Sequence, residues 1–197
     1  MDFKAKAPYM SEEEYAKAYA DTAPFHFSRL TDLNDKCLER LLKDVTGGSA
    51  LDIGCGKCLL LKRISETRKM ELTGMDLMIS ENANANGNSF KIINGTAENI
   101  PLEDKSIDTV ICTHVLEHVI DLRRAITEIR RVAKKRIIMV VPCERPYKYT
   151  FNLHLRFFPY IHSFLLEMMP FDREKIVCEK IGGDIYYIIL RICEFDL

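Results

Sequence analysis

The chain has 197 residues, of which 47% are hydrophobic and 29% charged, a balance typical of one globular domain. Its 28 lysines and arginines nearly cancel its 29 acidic residues, so the net charge of −1 argues against a nucleic-acid partner. No apolar run approaches the ~20 residues of a membrane helix, and the start lacks the apolar stretch of a secretion signal. Seven dispersed cysteines favour free thiols in the cytoplasm over a disulfide framework.

Helical patterns dominate residues 1–47, which we expect to form an N-terminal helical cap. Ser11 and Glu14 have the spacing of a capping box, which predicts a helix over residues 11–20. Apolar residues at helical spacing predict a second helix over residues 31–44, ending before Gly47-Gly48.

Short apolar runs alternate with helical segments in residues 48–142, the predicted core. The predicted strands cover residues 50–53, 71–75, 90–93, 107–112 and 136–141. A helix over residues 121–135 has one apolar stripe and a last turn that includes the cations Lys134 and Lys135. This alternation predicts right-handed crossovers and a mostly parallel sheet.

The tail, residues 143–197, changes character. It begins with an aromatic and basic loop and continues into a helix over about residues 154–169, a candidate lid. Two strands, over residues 175–180 and 185–192, flank Gly182-Gly183, and a glycine pair between strands is typical of a hairpin turn.

A glycine loop follows the first predicted strand. Gly54 and Gly56 there allow the backbone to pass close to a ligand. A dinucleotide fingerprint would need a small residue where the chain has Leu59. Asp76 falls at the end of the next strand, where a carboxylate can accept hydrogen bonds from both hydroxyls of a ribose. A purely structural turn and a helix cap remain the alternatives for the two features.

The ordered set of motifs resembles that of the Rossmann-like (class I) S-adenosylmethionine-dependent methyltransferases. The resemblance covers residues 49–142 closely. Its motifs are Asp52-Ile53-Gly54-Cys55-Gly56, Asp76, Gly95-Thr96-Ala97-Glu98-Asn99-Ile100-Pro101-Leu102, Ile107-Asp108-Thr109-Val110 and Val115-Leu116-Glu117-His118-Val119. It implies a single-domain α/β fold: a three-layer sandwich around a mostly parallel seven-stranded sheet, with a C-terminal antiparallel hairpin strand and the helical cap.

The resemblance also implies S-adenosylmethionine as the cofactor and S-adenosylhomocysteine as its product. By this likeness Gly54 and Gly56 make room for the methionine part, Asp52 organises its amino group through the loop, and Asp76 holds the ribose. The other implied cofactor contacts are Cys55, Leu77, Thr96, Ala97, Glu98, Thr113 and His114. By the same analogy, Tyr15, Tyr19 and Arg29 of the cap are candidates for covering the cofactor. Two positions depart from the family pattern, Cys58 where a third glycine is frequent and Thr96 where an aspartate is frequent.

Two short signatures point to other chemistry. Cys55 and Cys58 form a Cys-x-x-Cys, as in thioredoxin-like oxidoreductases, but the neighbouring Trp usual in that fold is missing. His114, Glu117 and His118 form the H-x-x-E-H of some zinc peptidases, but the motif follows a strand directly in a short chain. We therefore expect neither redox catalysis nor a metal site.

The methyl acceptor is less well specified. After the fourth strand, the Asn-Pro-Pro-Tyr type of segment found in methyltransferases of amides and adenine is absent, so those acceptors lose support. The basic and aromatic residues after the fifth strand predict an anionic or sugar-containing small molecule, although an ordinary solvated loop is the alternative. The candidate substrate-binding residues are Arg145, Tyr147, Lys148 and Tyr149, and the candidate bases are His154, then His118 and His114.

The sequence thus predicts a cytoplasmic enzyme that transfers a methyl group to an oxygen or nitrogen of a small molecule. The alternative is a non-catalytic S-adenosylmethionine-binding protein that regulates a partner or acts as a scaffold. We expect a monomer or a homodimer without a membrane span.

Overall fold

The computed structural model describes residues 3–11, 13–15, 17–18, 20–21, 31–78, 90–146, 153–168 and 175–190. The helices are α1 (Phe3–Lys6), α2 (Asp35–Asp44), α3 (Leu59–Thr67), α4 (Leu122–Val132) and α5 (Ile161–Met168), with a 3₁₀ turn at Ala7–Tyr9. The described residues between 13 and 21 are also helical. The strands are β1 (Ser49–Ile53), β2 (Glu71–Asp76), β3 (Lys91–Asn94), β4 (Ile107–Thr113), β5 (Ala133–Pro142), β6 (Ile176–Ile181) and β7 (Asp184–Ile189).

All seven strands form one sheet in the order β3-β2-β1-β4-β5-β7-β6. The first five strands of that order pair in parallel, whereas β7 pairs antiparallel with both β5 and β6. This arrangement confirms the predicted mostly parallel sheet with an antiparallel hairpin at its C-terminal end. The strand order reverses between β1 and β4, and such a switch point opens a crevice at the carboxyl ends of the strands.

Helices cover both faces of the sheet, which gives the predicted three layers. Successive side chains of a strand point to opposite faces, and in β4 Val110 and Cys112 join one apolar cluster while Ile111 joins the other. The first cluster holds the buried stripe of α4 and Phe164 of α5. The second holds the apolar faces of α2 and α3. The core therefore fixes the helices that frame the crevice.

The helix predicted over residues 121–135 is shorter in the structure. It begins after Asp121, whose Oδ1 accepts a hydrogen bond of 3.0 Å from the Arg124 N–H, and ends at Val132. Ala133 pairs with Ile107 of β4, so the chain enters β5 directly. The prediction that Lys134 and Lys135 end the helix was wrong, because pairing with β4 places both in the strand.

The helix predicted over residues 154–169 begins later, at Ile161. Residues 153–158 have no regular secondary structure, and the N–H groups of Leu155 and Arg156 donate to the carbonyl of Glu117 instead. Pro159 accounts for the difference, because proline lacks an N–H and disfavours helical geometry in the residue before it. Residue 169 lies outside the described residues.

Smaller differences affect the other predicted ends. Helix α2 begins at Asp35 rather than at residue 31, because the Asn34 side chain accepts the Cys37 N–H at 3.0 Å and caps the helix. The capping box of the first helix is confirmed, since the Ser11 N–H donates to Glu14 at 2.8 Å and the Glu14 N–H to Ser11 Oγ at 3.2 Å.

The last two strands also match the prediction closely. The hairpin turn at Gly182-Gly183 is confirmed, with residues 191–192 of the predicted strand outside the described part. None of the described helices is long and apolar enough to cross a membrane. The division into cap, core and tail stays a prediction.

Candidate functional site

A cleft of about 550 Å³ opens at the carboxyl ends of β1, β2 and β4, and pockets of ~300–1,000 Å³ are typical of small-molecule sites. It lies at the point where the strand order reverses. Every residue predicted to contact the cofactor lines it, and so do two of the three candidate bases, His114 and His118. The predicted cofactor residues along it are Asp52, Gly54, Cys55, Gly56, Asp76, Leu77, Thr96, Ala97, Glu98, Thr113 and His114.

Gly54 forms the tight turn after β1. Its φ of +72° lies in the left-handed region, and a Cβ on it would come within 2.2 Å of the Val115 Cγ2. Its N–H donates to the Met75 carbonyl at 2.7 Å, which holds the turn against β2. Glycine is therefore required here for two reasons, the backbone conformation and the close approach of Val115.

Asp76 stands at the end of β2 and faces the same loop. Its Oδ2 accepts the Gly56 N–H at 2.8 Å, and its Oδ1 accepts the Met78 N–H at 2.9 Å. Burial raises the pKa of this carboxyl above its usual value, although the backbone N–H groups oppose the shift. A carboxylate offers about four acceptor positions, so it can still accept from a ribose beside the backbone N–H groups of Gly56, Leu77 and Met78.

Asp52 lies below the loop, at the end of β1, and is only 3% exposed. Burial raises its pKa well above the usual value, and the nearby Cys58 and Asp76 add to the shift. Cys55, which follows in the loop, packs over β2: a Cβ on Gly74 would come within 2.8 Å of the Cys55 Sγ. The two acids and the loop between them form one compact unit.

The segment between β3 and β4, which contains Thr96, Ala97 and Glu98, is held from below by α4. The Arg131 guanidinium donates to the carbonyls of Ile100 at 2.9 Å and Leu102 at 2.7 Å, and it also pairs with Glu128 and Asp104 at 2.7 Å. The Ile100 N–H donates in turn to Glu128 at 3.0 Å. This arginine fixes the wall of the cleft where the resemblance implies the adenine.

Near the end of this segment, the Ile120 N–H donates to the Glu98 Oε1 at 3.0 Å. The contact joins the wall to the residues that precede α4, so the two sides of this end of the cleft are tied together.

His114 follows β4 with a positive φ of +53°. Its Nδ1 lies 3.4 Å from the Glu117 Oε1 and its Nε2 lies 3.7 Å from the Asp184 Oδ2. Burial alone would lower the pKa of His114, but these two carboxyl groups outweigh burial and raise the pKa to about 10. An imidazole with such a pKa is protonated at neutral pH, which disfavours the predicted role of His114 as a base.

The other two candidate bases lie together. The rings of His118 and His154 are 4.7 Å apart and nearly perpendicular. The Nδ1 of His154 contacts the Glu144 Oε1, and the Nδ1 of His118 lies 3.3 Å from the Leu153 carbonyl. Fold contacts thus orient both rings beside the cleft, although the two residues are 36 positions apart in sequence.

Only one predicted substrate-binding residue lies in the described part of the chain. Arg145 is exposed, and its Nη2 lies 3.5 Å from the Tyr160 hydroxyl. Tyr147, Lys148 and Tyr149 lie outside the described residues.

One of the cap residues that were candidates for covering the cofactor lies in the cleft. Tyr15 lines the cleft, and its hydroxyl donates to the His118 carbonyl. Tyr19 and Arg29 are outside the described residues.

Sequence reasoning assigned no functional role to the acids that surround these histidines. Glu117 is completely buried, Glu144 contacts His154, and Asp184 comes from the distant strand β7. The H-x-x-E-H spacing was a usable signal for Glu117, whereas no local pattern marks Glu144 or Asp184. The thiols of Cys55 and Cys58 are free and lie 3.7 Å apart beneath the loop.

Comparisons with known proteins agree with this geometry. Residues 51–141 match the family described as "Methyltransferase domain". A demethylmenaquinone methyltransferase from Staphylococcus epidermidis is 28% identical over 123 residues, which cover 56% of this chain and 51% of that protein. The chain therefore spans about half the length of the curated relatives it matches.

Two solved structures share the fold over nearly the whole chain. An S-adenosylmethionine-dependent methyltransferase from Thermotoga maritima is 17% identical, covers 91% of this chain and 98% of its own, and superposes with a TM-score of 0.63. One from Aquifex aeolicus is 15% identical, covers 91% and 99%, and has a TM-score of 0.59. At these identities the likeness concerns the fold. The sheet order, the family match over residues 51–141 and the shared fold support the predicted resemblance to the Rossmann-like (class I) S-adenosylmethionine-dependent methyltransferases.

Proposed function

We propose that this chain transfers a methyl group from S-adenosylmethionine to an oxygen or nitrogen of a small molecule. The observation that carries the proposal is one continuous cleft with Asp76 and the glycine loop on one side and His114 and His118 on the other. The cleft has the size and the polar groups that the cofactor needs, including a backbone turn that only glycine fits. We place the enzyme in the cytoplasm, as a monomer or a homodimer.

Each group of the cleft has a separate task in this proposal. Asp76 accepts hydrogen bonds from the ribose, and the loop around Gly56 leaves space for the methionine part. Thr96, Ala97 and Glu98 flank the adenine. Burial gives Asp52 an elevated pKa, and it steadies the loop from below.

The bound cofactor supplies an electrophilic methyl carbon on a sulfonium and leaves as S-adenosylhomocysteine. The chain holds the acceptor in line with that carbon, and positioning of this kind accounts for much of the catalysis in displacement reactions. A hydroxyl acceptor must lose its proton during the reaction, and an amine acceptor must be in its unprotonated form to attack the methyl carbon. His118 and His154 are the groups placed to favour loss of the acceptor's proton. Contacts with the Leu153 carbonyl and with Glu144 orient the two rings beside the cleft.

The surroundings of the histidines favour a small, polar acceptor. The hydroxyl of Tyr15 closes this end of the cleft from the cap side, and Arg124 and Asp121 lie at its rim. Arg145, with Tyr147, Lys148 and Tyr149, remains our proposed contact for an anionic or sugar-like part of the acceptor.

Methyl release from labelled S-adenosylmethionine, measured across pools of hydroxylated and amino metabolites, tests the proposal. We expect turnover by the parent chain and by His162→Ala, whose imidazole is exposed on α5, and a loss of at least tenfold in His154→Ala. Calorimetry should show equal cofactor affinity in all three proteins.

The opposite result is equally informative. Cofactor binding without turnover in any pool would contradict an enzyme and support the regulatory or scaffold alternative. No cofactor binding by the parent chain would refute both.

A further inference from the structure

We propose that Glu117, His118 and His154 bind one divalent transition-metal ion beside the cofactor cleft. One ligand atom of each of the three residues lies within 4.8 Å of the others. The sequence predicted no metal site, because the H-x-x-E-H motif has no third ligand nearby in the chain. The fold supplies that ligand, since the segment before α5 brings His154 against His118.

The spacing of these atoms is close to that of a metal site. Around an ion with bonds of about 2.1 Å, neighbouring ligand atoms lie roughly 3–3.5 Å apart. The three side chains must therefore approach each other by roughly 1 Å, a movement within reach of small side-chain rotations. His118 is 20% and His154 15% exposed, so an ion can enter from the cleft side.

The carboxylate of Glu117 is a strong reason to expect a cation. Its side chain is 1% exposed, and neither of its oxygens has a hydrogen-bond donor among the described residues. A buried carboxylate is costly unless positive charge lies close to it. The His114 imidazole, 3.4 Å from Oε1, offsets part of this cost, and a bound cation would offset more of it. Within the described part of the chain, the groups at ion-pair distance from Glu117 are histidines, not lysines or arginines.

The groups around the two rings fit the usual second layer of a metal site. Metal-binding histidines normally direct their other ring nitrogen to a carboxylate or a backbone carbonyl. The Nδ1 of His154 meets the Glu144 carboxylate, and the Nδ1 of His118 lies 3.3 Å from the Leu153 carbonyl. These contacts assign Nε2 of each ring to the metal.

The three ligands also limit which metal ions fit the site and which methyl acceptors it could serve. Two imidazoles and one carboxylate suit ions such as Zn²⁺, Co²⁺ or Fe²⁺ and leave coordination positions open. Because this site lies beside the cleft, its catalytic use rests on the proposed methyl transfer and restricts the acceptor to a hydroxyl-bearing small molecule. A hydroxyl bound to such an ion has a lowered pKa.

The reaction then balances without a further reagent. The acceptor oxygen binds the ion and its proton passes to bulk water. The oxygen forms a bond to the methyl carbon of the sulfonium, and the carbon–sulfur bond breaks with its electron pair retained by sulfur. The products are a methyl ether and S-adenosylhomocysteine.

Cobalt binding to the full chain, freed of metal with a chelator, tests the site directly. Co²⁺ gives visible absorption bands whose intensity and position report its ligands. We expect one Co²⁺ per chain in the parent protein and in His162→Ala, and at least a tenfold weaker affinity in His154→Ala. Glu117→Gln keeps the shape of the buried side chain, so its loss of cobalt affinity would show that the charge is required.

Several results would overturn the proposal. These are no cobalt binding by the folded parent chain, unchanged binding in both variants, or a thiolate charge-transfer band that places the ion at Cys55 and Cys58. Calorimetry with S-adenosylmethionine on the same samples separates the two proposals. Cofactor binding and turnover in the absence of metal would contradict the metal site alone, and absence of cofactor binding would contradict the proposed function.

Discussion

The backbone N–H of Gly56 donates a hydrogen bond of 2.8 Å to the Oδ2 of Asp76. This contact joins the loop after β1 to the acid after β2, so the chain alone already holds its proposed ribose acceptor in place. The other oxygen of Asp76 is fixed by the Met78 N–H. A group oriented before the ligand arrives loses less freedom on binding, which favours affinity.

Replacing Asp76 with asparagine should weaken cofactor binding by about 10- to 100-fold. Hydrogen bonds to a charged group contribute about 1.5–3 kcal/mol, and 1.4 kcal/mol corresponds to tenfold in affinity. Calorimetry with S-adenosylhomocysteine checks this value, with Asp35→Asn on the exposed start of α2 as the control. Equal affinities in the two variants would remove Asp76 from the ribose site.

Cofactor affinity should also fall on acidification, beginning at a higher pH than for an exposed aspartate. Burial raises the pKa of Asp76 in the free chain, so its carboxylate is protonated before the pH reaches the usual value near 4. The acceptor form is present above that raised pKa and is lost as the pH falls through it. Calorimetry between pH 8 and pH 5 measures the trend.

Asp76→Asn provides the control for this pH dependence, because it removes the titrating group. Its affinity should vary less with pH than that of the parent chain. A parallel decline in the two proteins would show that Asp76 is not the group responsible.

Substitution by alanine should have different effects on stability at the two glycines of the loop. Gly54→Ala adds a left-handed backbone strain of about 1–2 kcal/mol and places a Cβ within 2.2 Å of the Val115 Cγ2, so both the melting temperature and cofactor affinity should fall. Gly56→Ala meets no atom within 4 Å. Its φ of +47° is also left-handed, so the backbone strain of about 1–2 kcal/mol remains, but there is no collision. The melting temperature should therefore fall less than in Gly54→Ala, and cofactor affinity should fall because the added methyl group enters the cleft.

The double variant Gly54→Ala with Val115→Ala separates the effect of backbone strain at residue 54 from the steric clash with the Val115 side chain. Removing the Val115 methyl groups should recover part of the stability lost in Gly54→Ala. If the double variant melts no higher than the single one, close packing against Val115 is not the reason for glycine at this position.

Arg131→Ala should lower the free energy of unfolding by about 2 kcal/mol, since hydrogen bonds to charged groups contribute about 1.5–3 kcal/mol. It should also weaken cofactor binding. The arginine does not line the cleft, but it holds the carbonyls of Ile100 and Leu102 below the proposed adenine segment. Arg131→Lys should rescue little, because an ammonium cannot reproduce the planar fork. Thermal melts and calorimetry measure both effects.

Arg123→Ala, on the exposed face of the same helix, serves as the matched control. An Arg131→Ala protein with the parent's cofactor affinity would show that this wall of the cleft does not depend on the arginine.

The sequence predicted the sheet well because its strands are short, strongly apolar and separated by glycine or helical segments. Local patterns failed where pairing or a single proline decided the outcome: Ala133 joins β5 through its pairing with Ile107, and Pro159 delays α5. The residues predicted to contact the cofactor line one cleft because each lies at or near the carboxyl end of a parallel strand. His154 could be named from sequence, but its place beside His118 and Glu117 depends on the fold alone.

A crystal structure of the chain with S-adenosylhomocysteine tests the central claim most directly. The account predicts the ribose hydroxyls within hydrogen-bond distance of the Asp76 carboxylate, the adenine beside Thr96 to Glu98, and the sulfur facing His114 and His118. A ligand bound outside this cleft, or one inside it with its sulfur turned away from those histidines, would contradict the account.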